Sequence, residues 1–215
     1  MEIKERLLLY HGSKNGINGE IMPTSRRNCD FGPGFYMGTE QKQPLTLICN
    51  FPHAKFYTLE LNVKDLRILN LDTGLDWALF IAYNRGKMKK AEKSNLYQKY
   101  ASMRNDYDVI CGYIADDRMF VVLDRFFDGE ITDKALIESL SALKLGKQYA
   151  AITEKACRNI KILEEVSLST EQRAELIKLS EKNRREGISK AEEICRKYRR
   201  EGRYFDEIIE GEATK

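Results

Sequence analysis

The sequence predicts an α+β fold, in which a domain of mixed strands and helices is followed by a helical extension. Three observations lead to this prediction. Short apolar or alternating runs bounded by glycine and polar residues have the pattern of strands. Segments between them carry apolar residues at helical spacing. After Glu165 the chain becomes heavily charged with few apolar positions. We therefore expect one domain over residues 1–165 and a charged helical C-terminal extension over residues 166–215.

Periodicity and end signals place the individual elements. Strands are predicted over residues 7–10, 35–39, 56–61, 66–71 (as the partner of 56–61), 107–114, 148–153 and 160–163. Helices are predicted over residues 40–49 with an interruption near Pro44, and over 74–85, 118–127, 132–143 and 155–159. In the extension, capping-box spacing at Ser169 and Ser189 and a stop at Gly187 predict two helices, over residues 170–186 and 190–201.

The composition argues against a membrane protein and against a disulfide-stabilised secreted protein. No apolar run approaches the roughly 20 residues that cross a bilayer, and the charged N-terminus lacks the apolar segment of a signal peptide. The five cysteines are scattered without a Cys-x-x-Cys pair, which is typical of free thiols in a reducing compartment. We therefore expect a cytoplasmic protein with no membrane partner.

Metal binding is not indicated, and the charge gives little information about partners. His11 and His53 are the only imidazoles, and neither has a second ligand at metal spacing, so we expect no metal. The formal net charge of +3 is too weak to indicate nucleic acid. The lysine-rich residues 87–99 and the basic extension most often form solvated helix faces, and docking to a partner protein or nucleic acid is the alternative.

His11, Gly12 and Ser13 follow a short apolar run that has the pattern of a buried strand. A histidine at a strand end can direct its side chain from the core towards a cleft, although a structural histidine is the more common case. The glycine and the small hydroxyl that follow suit close contact with a planar polar ligand. This stretch is therefore a candidate binding site.

A second candidate is the glycine-rich stretch at Gly32, Pro33 and Gly34, which precedes Phe35 and Tyr36. Proline fixes its own φ and glycine takes angles closed to other residues, so the pattern predicts a tight turn followed by an extended segment. Such a turn lets a flat ligand lie close to the backbone. No Lys-Ser/Thr pair follows, so a P-loop is not indicated. A hairpin turn with a core tyrosine is the alternative.

Taken together, the His-Gly-Ser stretch, the Phe-Gly-Pro-Gly-Phe-Tyr stretch and the late strand opened by Gln148 resemble a known family. They resemble the ADP-ribosyltransferases of the diphtheria-toxin and poly(ADP-ribose) polymerase type. The resemblance is closest to an uncharacterised bacterial family of related domains, sometimes encoded beside a small antitoxin-like partner. It covers roughly residues 5–165 and implies an ADP-ribosyltransferase-like split β-sheet core.

The resemblance implies that NAD is the substrate and that no metal is needed. His11 would hold a hydroxyl of the adenosine ribose, and the Gly12 backbone and the Ser13 hydroxyl would bind the nicotinamide amide. Tyr36 would stack on the nicotinamide ring, across a slot from His11. Breaking the glycosidic bond of NAD builds positive charge on the ribose, so such a site must hold the nicotinamide and its ribose in a strained pose.

The third position departs from the resembled pattern, because Gln148 stands where a glutamate is usual. A carboxylate there would bind ribose hydroxyls and stabilise the cationic transition state, whereas a glutamine supplies hydrogen bonds without charge. Glu154 could supply the carboxylate, but it lies roughly 20 Å further along the same strand. Its alternative role is to stabilise the first turn of the next helix.

The predicted function is therefore an NAD-dependent mono-ADP-ribosyltransferase, toxin-like or regulatory, that modifies a macromolecular acceptor, either protein or nucleic acid. The alternatives are a catalytically weak sensor that binds NAD or ADP-ribose, and a protein-interaction module that works through the basic extension. The predicted catalytic residues are His11, Tyr36, Gln148 and Glu154, and the predicted cofactor-binding residues are His11, Gly12, Ser13, Gly34, Phe35 and Tyr36.

Overall fold

The predicted α+β class is confirmed by a computed structural model, which describes residues 5–25, 27–114, 120–142 and 146–213. In these ranges seven strands form one mixed sheet. The strands are β1 (Arg6–Ser13), β2 (Phe35–Gly38), β3 (Lys55–Asn62), β4 (Ile68–Leu71), β5 (Val109–Tyr113), β6 (Lys147–Ala151) and β7 (Ile160–Ser167). The helices are α1 (Lys42–Ile48), α2 (Leu75–Asn84), α3 (Asn95–Ser102), α4 (Phe120–Phe127), α5 (Asp133–Ser141), α6 (Glu154–Arg158), α7 (Thr170–Lys197) and α8 (Phe205–Ala213), with a 3₁₀ turn at Lys89–Ala91.

The sheet consists of two halves that meet between β1 and β2. The strand order is β4-β5-β6-β2-β1-β3-β7. Strands β1 and β3 pair antiparallel over eight residues, whereas the register of β1 with β2 contains one pair, Tyr10 with Gly38. The strands on either side of this junction therefore diverge, and the divergence begins where the His-Gly-Ser stretch follows Tyr10.

Strand alternation sends neighbouring residues to opposite faces of the sheet, where two hydrophobic clusters form. On one face, Tyr36 and Ala150 pack with residues of α2, α4 and α5, including Phe80 and Leu136. On the other face, Phe35 and Met37 pack with residues including Leu9, Leu59 and Ala151. The alternation of Phe35 and Tyr36 thus assigns their rings to different cores.

The C-terminal extension is part of the first core and contains one long helix where two were predicted. The capping box at Ser169 is confirmed, but Gly187 does not end the helix. A glycine inside a helix costs about 1 kcal/mol, which the packing of the following turns can outweigh. Beyond it, α7 buries Ala191 and Cys195, and α8 buries Phe205 and Ile208, all in the cluster that holds Leu136 of α5. Strand β7 also runs two residues past the predicted boundary after residue 165.

Helix α7 reaches both halves of the molecule. It contacts α1, which packs on Gly12 of β1, and it contacts α5, which packs over the other half of the sheet. By strand alternation, Gly12 and Tyr36 belong to the same face. The helix therefore links elements that pack on either side of the junction of β1 and β2.

Two further predictions were wrong. Pro44 was expected to interrupt its helix but lies inside α1, in the first turn, where a missing backbone N–H is tolerated. The segment around β4 was expected to pair with β3, but β4 pairs parallel with β5. Strand patterns identify strands without their partners, because the pairing depends on contacts distant in sequence. The predicted first residues of the helix at 118–127 lie outside the described residues, which begin again at Phe120.

Candidate functional site

The candidate site lies at the junction where β1 and β2 diverge. Continuing the register of Tyr10 with Gly38 by two residues would place Gly12 opposite Tyr36, but no strand pair forms there. The Tyr36 carbonyl instead lies 2.7 Å from Nδ1 of the His11 imidazole. A side chain thus replaces a strand partner at this point, and it joins the two predicted motifs.

His11 has a defined tautomer and charge. A carbonyl only accepts hydrogen bonds, so Nδ1 carries the proton and donates it to Tyr36. Burial lowers the pKa of the imidazole below its usual value of 6.5, so the ring is neutral at pH 7. The ring stacks on Phe35 with centroids 4.4 Å apart. Its Nε2 is therefore an acceptor, and it makes no hydrogen bond within the described part of the chain.

The Tyr36 phenol points to the opposite face from the His11 ring, so the expected face-to-face arrangement of these two rings is not found. The hydroxyl donates to the Gly32 carbonyl at 2.7 Å and accepts from the Phe31 N–H at 2.9 Å. Its ring is near-parallel to Phe31, with centroids 6.4 Å apart. Burial raises the pKa of the phenol well above its usual value, so it stays protonated. Strand alternation causes this separation, because Phe35, not Tyr36, shares the face of His11.

Gly12 and Ser13 are both engaged by the fold. A Cβ on Gly12 would lie 2.7 Å from the Pro44 carbonyl oxygen and 2.8 Å from a methyl of Ile48, so α1 packs directly on this glycine. The Ser13 hydroxyl donates to the Gly16 carbonyl at 2.8 Å. The need for glycine at position 12 therefore has a packing explanation, and the serine hydroxyl is an acceptor for any further partner.

The glycine turn before β2 is held by side chains from two other segments, at Ser25 and Arg104. Gly32 has a φ of +77°, in the region that favours glycine, as the turn prediction requires. The Gly34 N–H donates to Ser25 Oγ at 3.0 Å. Arg104 Nη2 donates to the Pro33 carbonyl at 2.8 Å. Arg104 was missed by the sequence reasoning, since nothing in its neighbourhood marks a contact 71 positions away.

Gln148 is buried at the head of β6 and belongs to a charged network. Its Nε2 donates to Asp30 Oδ2 at 2.6 Å and lies 3.5 Å from the Tyr113 carbonyl. Asp30 Oδ1 forms an ion pair with Arg85, whose Nε donates at 2.8 Å. The side chains of Asp30 and Arg85 are only 7% and 6% exposed. Asp30 directly precedes the Phe-Gly-Pro-Gly stretch, which was a usable signal, whereas Arg85 carried none.

Glu154 is apart from this network. It lies in the first turn of α6, after β6 has ended, and forms an exposed ion pair with Arg158 at 2.8 Å. The Thr153 side chain caps the helix by accepting from the Ala156 N–H. The structure therefore gives Glu154 the helix-terminal role that was its alternative, and the described contacts do not bring it to Gln148.

Metal and membrane features are not found in the part of the chain that the structure describes. No group of three metal-ligating side chains occurs there. None of the described helices is long and apolar enough to cross a membrane. The five cysteines are unpaired thiols.

Comparison with known proteins gives a family without an activity. A family described as "Protein of unknown function (DUF3990)" matches residues 7–162, and the chain belongs to this family. The match spans β1 to β7 and contains all the predicted site residues. Comparisons with curated proteins and with solved structures gave no match.

Proposed function

We propose that this member of the DUF3990 family is an NAD-dependent mono-ADP-ribosyltransferase that modifies a macromolecular acceptor. The observation that carries the proposal is the state of His11 at the diverging junction. A neutral imidazole, fixed by its Nδ1 bond to Tyr36, leaves Nε2 as an acceptor. A ribose hydroxyl is a donor of the matching kind.

The further support for this ligand comes from residues on the face opposite the His11 ring. Tyr36, Gly12 and Gln148 belong by alternation to one face of the sheet, and the first two lie across the unpaired gap between β1 and β2. A gap between diverging strands is consistent with an ADP-ribosyltransferase-like split sheet. The glycine turn beside Tyr36 is braced by Ser25 and Arg104, which suits a site that must hold a substrate in one pose.

The proposed reaction breaks the bond between nicotinamide and its ribose. Nicotinamide leaves with the bonding electron pair, and a nucleophile on the acceptor forms the new bond to the ribose carbon and loses its proton. Holding the ribose and the leaving group is the main task of the protein in this reaction. Gln148 would contribute a hydrogen-bond acceptor without a formal charge.

Label transfer from NAD tests the proposal. The protein is incubated with NAD labelled in the adenylate half and with cell extract, and the bound label is counted. His11→Ala should lose about tenfold in transfer, the magnitude of one lost hydrogen bond. His53→Ala is the matched control, since His53 is the other histidine and is exposed.

Two results together would refute the assignment. One is that no label moves to any acceptor. The other is that His11→Ala binds NAD as tightly as the wild type in calorimetry. If transfer is seen, the identity of the labelled molecules shows whether the acceptor is protein or nucleic acid.

A sensor that binds NAD or ADP-ribose without turnover is the second candidate, and the environment of Gln148 favours it. The only carboxylate within hydrogen-bond distance of this amide among the described residues is Asp30, which is already paired with Arg85. Calorimetry with NAD, combined with an assay for released nicotinamide, separates the candidates. Binding without release indicates the sensor, and release indicates the enzyme.

An interaction module in the extension, including a docking site for an antitoxin-like partner, stays a prediction. Deleting the extension would not test it cleanly, because Phe205 and Ile208 are buried in the main core. Charge reversal at the exposed residues Arg196 and Arg199 leaves the core intact. Loss of a co-purifying partner with unchanged NAD affinity would support the module.

A further inference from the structure

We propose that Asp30 is a positioning residue that sets which end of the Gln148 amide meets the ligand. The inference deepens the proposed function and rests on NAD being the ligand. It concerns a residue buried beneath the site, which acts through Gln148.

The surroundings of Gln148 determine the orientation of its amide. Its two polar neighbours are Asp30 Oδ2 at 2.6 Å and the Tyr113 carbonyl at 3.5 Å, and both are acceptors. Only the NH₂ end of an amide donates, so this end must face them. The Oε1 atom is then directed away from Asp30, and it accepts no hydrogen bond from a residue that the structure describes.

The Asp30 carboxylate is itself held rigidly by elements distant in sequence. Arg85 follows the last residue of α2, and its Nε and Nη2 both donate to Oδ1 of Asp30. The Arg85 backbone N–H is in turn bonded to the end of α2, at the Ile81 carbonyl. The Asp30 carboxylate therefore links the glycine turn to the end of α2 through Arg85 and to the start of β6 through Gln148.

This arrangement makes Gln148 a neutral acceptor with a fixed direction. The chemical class that it selects is a hydroxyl donor, such as a ribose hydroxyl of NAD. Nicotinamide alone has no ribose, so its binding should not depend on Asp30. The arrangement also predicts that a glutamate at position 148 would be unfavourable, because two carboxylates would lie at the present 2.6 Å contact.

The test removes both charges at once and compares two ligands. The double variant Asp30→Leu/Arg85→Met removes the carboxylate together with the guanidinium that it pairs with, which such pairs tolerate far better than a single removal. Calorimetry measures the Kd of NAD and of nicotinamide. We expect the NAD affinity to fall about tenfold, as for one hydrogen bond, and the nicotinamide affinity to stay within about twofold.

A mutant cycle with Gln148→Met shows whether Asp30 acts through Gln148. If it does, the triple variant binds NAD no more weakly than Gln148→Met alone, because the two changes remove the same interaction. Additive losses would overturn the inference. So would equal losses for NAD and nicotinamide, which is the signature of a merely structural role.

A second pair of variants serves if the apolar replacement does not fold. Gln148→Glu should weaken NAD binding, and adding Asp30→Asn should restore it. In the double variant an asparagine amide can donate to the new carboxylate at position 148, and this carboxylate supplies the negative charge near Arg85 that Asp30 supplied before. No restoration would overturn the inference. If the wild type binds nicotinamide but not NAD, or neither ligand, the proposed function fails first. If the wild type binds NAD and the variants do not change it, only the inference fails.

Discussion

His11 and Asp30 are the two polar centres beside the glycine turn, and they are held in opposite ways. His11 is neutral and half-buried, and its imidazole makes one hydrogen bond, which leaves Nε2 as an acceptor. Asp30 is buried and charged, and its two oxygens contact Arg85 and Gln148. The first can gain a partner when a ligand binds. The second cannot do so without breaking an ion pair, so we interpret it as the scaffold of the site.

Asp30→Ala should give the largest effect, because it leaves the Arg85 guanidinium buried without its carboxylate. The expected loss in the free energy of unfolding is about 3–5 kcal/mol, measured by urea denaturation. His11→Ala should cost much less, since it leaves no buried charge. The comparison between the two centres is wrong if the two variants are equally stable.

The double variant Asp30→Leu/Arg85→Met is the control for this prediction. It removes the same carboxylate but also the guanidinium, and it should recover most of the stability that Asp30→Ala loses. A double variant as unstable as the single one would mean that Asp30 stabilises the fold through contacts other than Arg85.

Tyr36→Phe should give the next effect. The substitution keeps the ring and removes the hydroxyl that accepts from the Phe31 N–H and donates to the Gly32 carbonyl. A buried backbone group left without a partner costs about 1–3 kcal/mol. Urea denaturation measures the loss, and NAD affinity should change little if the phenol only holds the turn.

Tyr10→Phe is the matched control, since Tyr10 stacks on Phe56 and its hydroxyl makes no hydrogen bond within the described chain. It should be within about 0.5 kcal/mol of the wild type. An equal loss from both variants would show that the ring environment, not the hydroxyl, accounts for the effect at Tyr36.

The difference between the two centres also marks what the sequence could predict. The strands that carry His11 and Tyr36 follow from local apolar patterns and glycine positions, and both are found. The direction of the Tyr36 ring follows from alternation once the register is known, and that register is set by pairing with residues far along the chain. Phe35 and Tyr36, which are adjacent in the motif, therefore lie on opposite faces of the sheet, although both were predicted to bind the cofactor.

The Asp30 network could not have been predicted in the same way. Arg85 lies 55 positions after Asp30 in the sequence, and Gln148 lies 118 positions after it. No local period links them, because their contact depends on how α2 and β6 pack against the turn. The continuous helix α7 is a similar case, since the local stop signal at Gly187 is outweighed by the tertiary contacts of Ala191 and Cys195 beyond it.

The pH dependence of stability should distinguish His11 from the other histidine. The folded-state pKa of His11 is lowered by burial, so below pH 6.5 the unfolded chain takes up a proton that the folded protein does not. This contribution is fully present above pH 6.5 and is lost as the pH falls towards the folded-state pKa. Replacement by His11→Gln should therefore flatten the stability curve between pH 7 and pH 5.

Denaturation at several pH values measures this effect, with His53→Gln as the control. His53 is exposed, so this variant controls for the exchange of a histidine at the surface. NAD affinity should follow the same titration, because a protonated Nε2 can no longer accept from a ribose hydroxyl. An unchanged slope in His11→Gln would mean that the imidazole is not held neutral by the fold.

Glu154→Gln should give the smallest effect. It tests whether Glu154 is a third functional centre besides His11 and Asp30. Glu154 is exposed and paired with Arg158, which is exposed as well, and surface pairs contribute roughly 0–1 kcal/mol. We expect a change in unfolding free energy within about 0.5 kcal/mol and no change in NAD affinity or label transfer. Gln148→Met, assayed in parallel, should weaken NAD binding. If Glu154→Gln abolished transfer while Gln148→Met did not, the catalytic carboxylate would lie at the start of α6, and the centre built on Gln148 and Asp30 would be structural only.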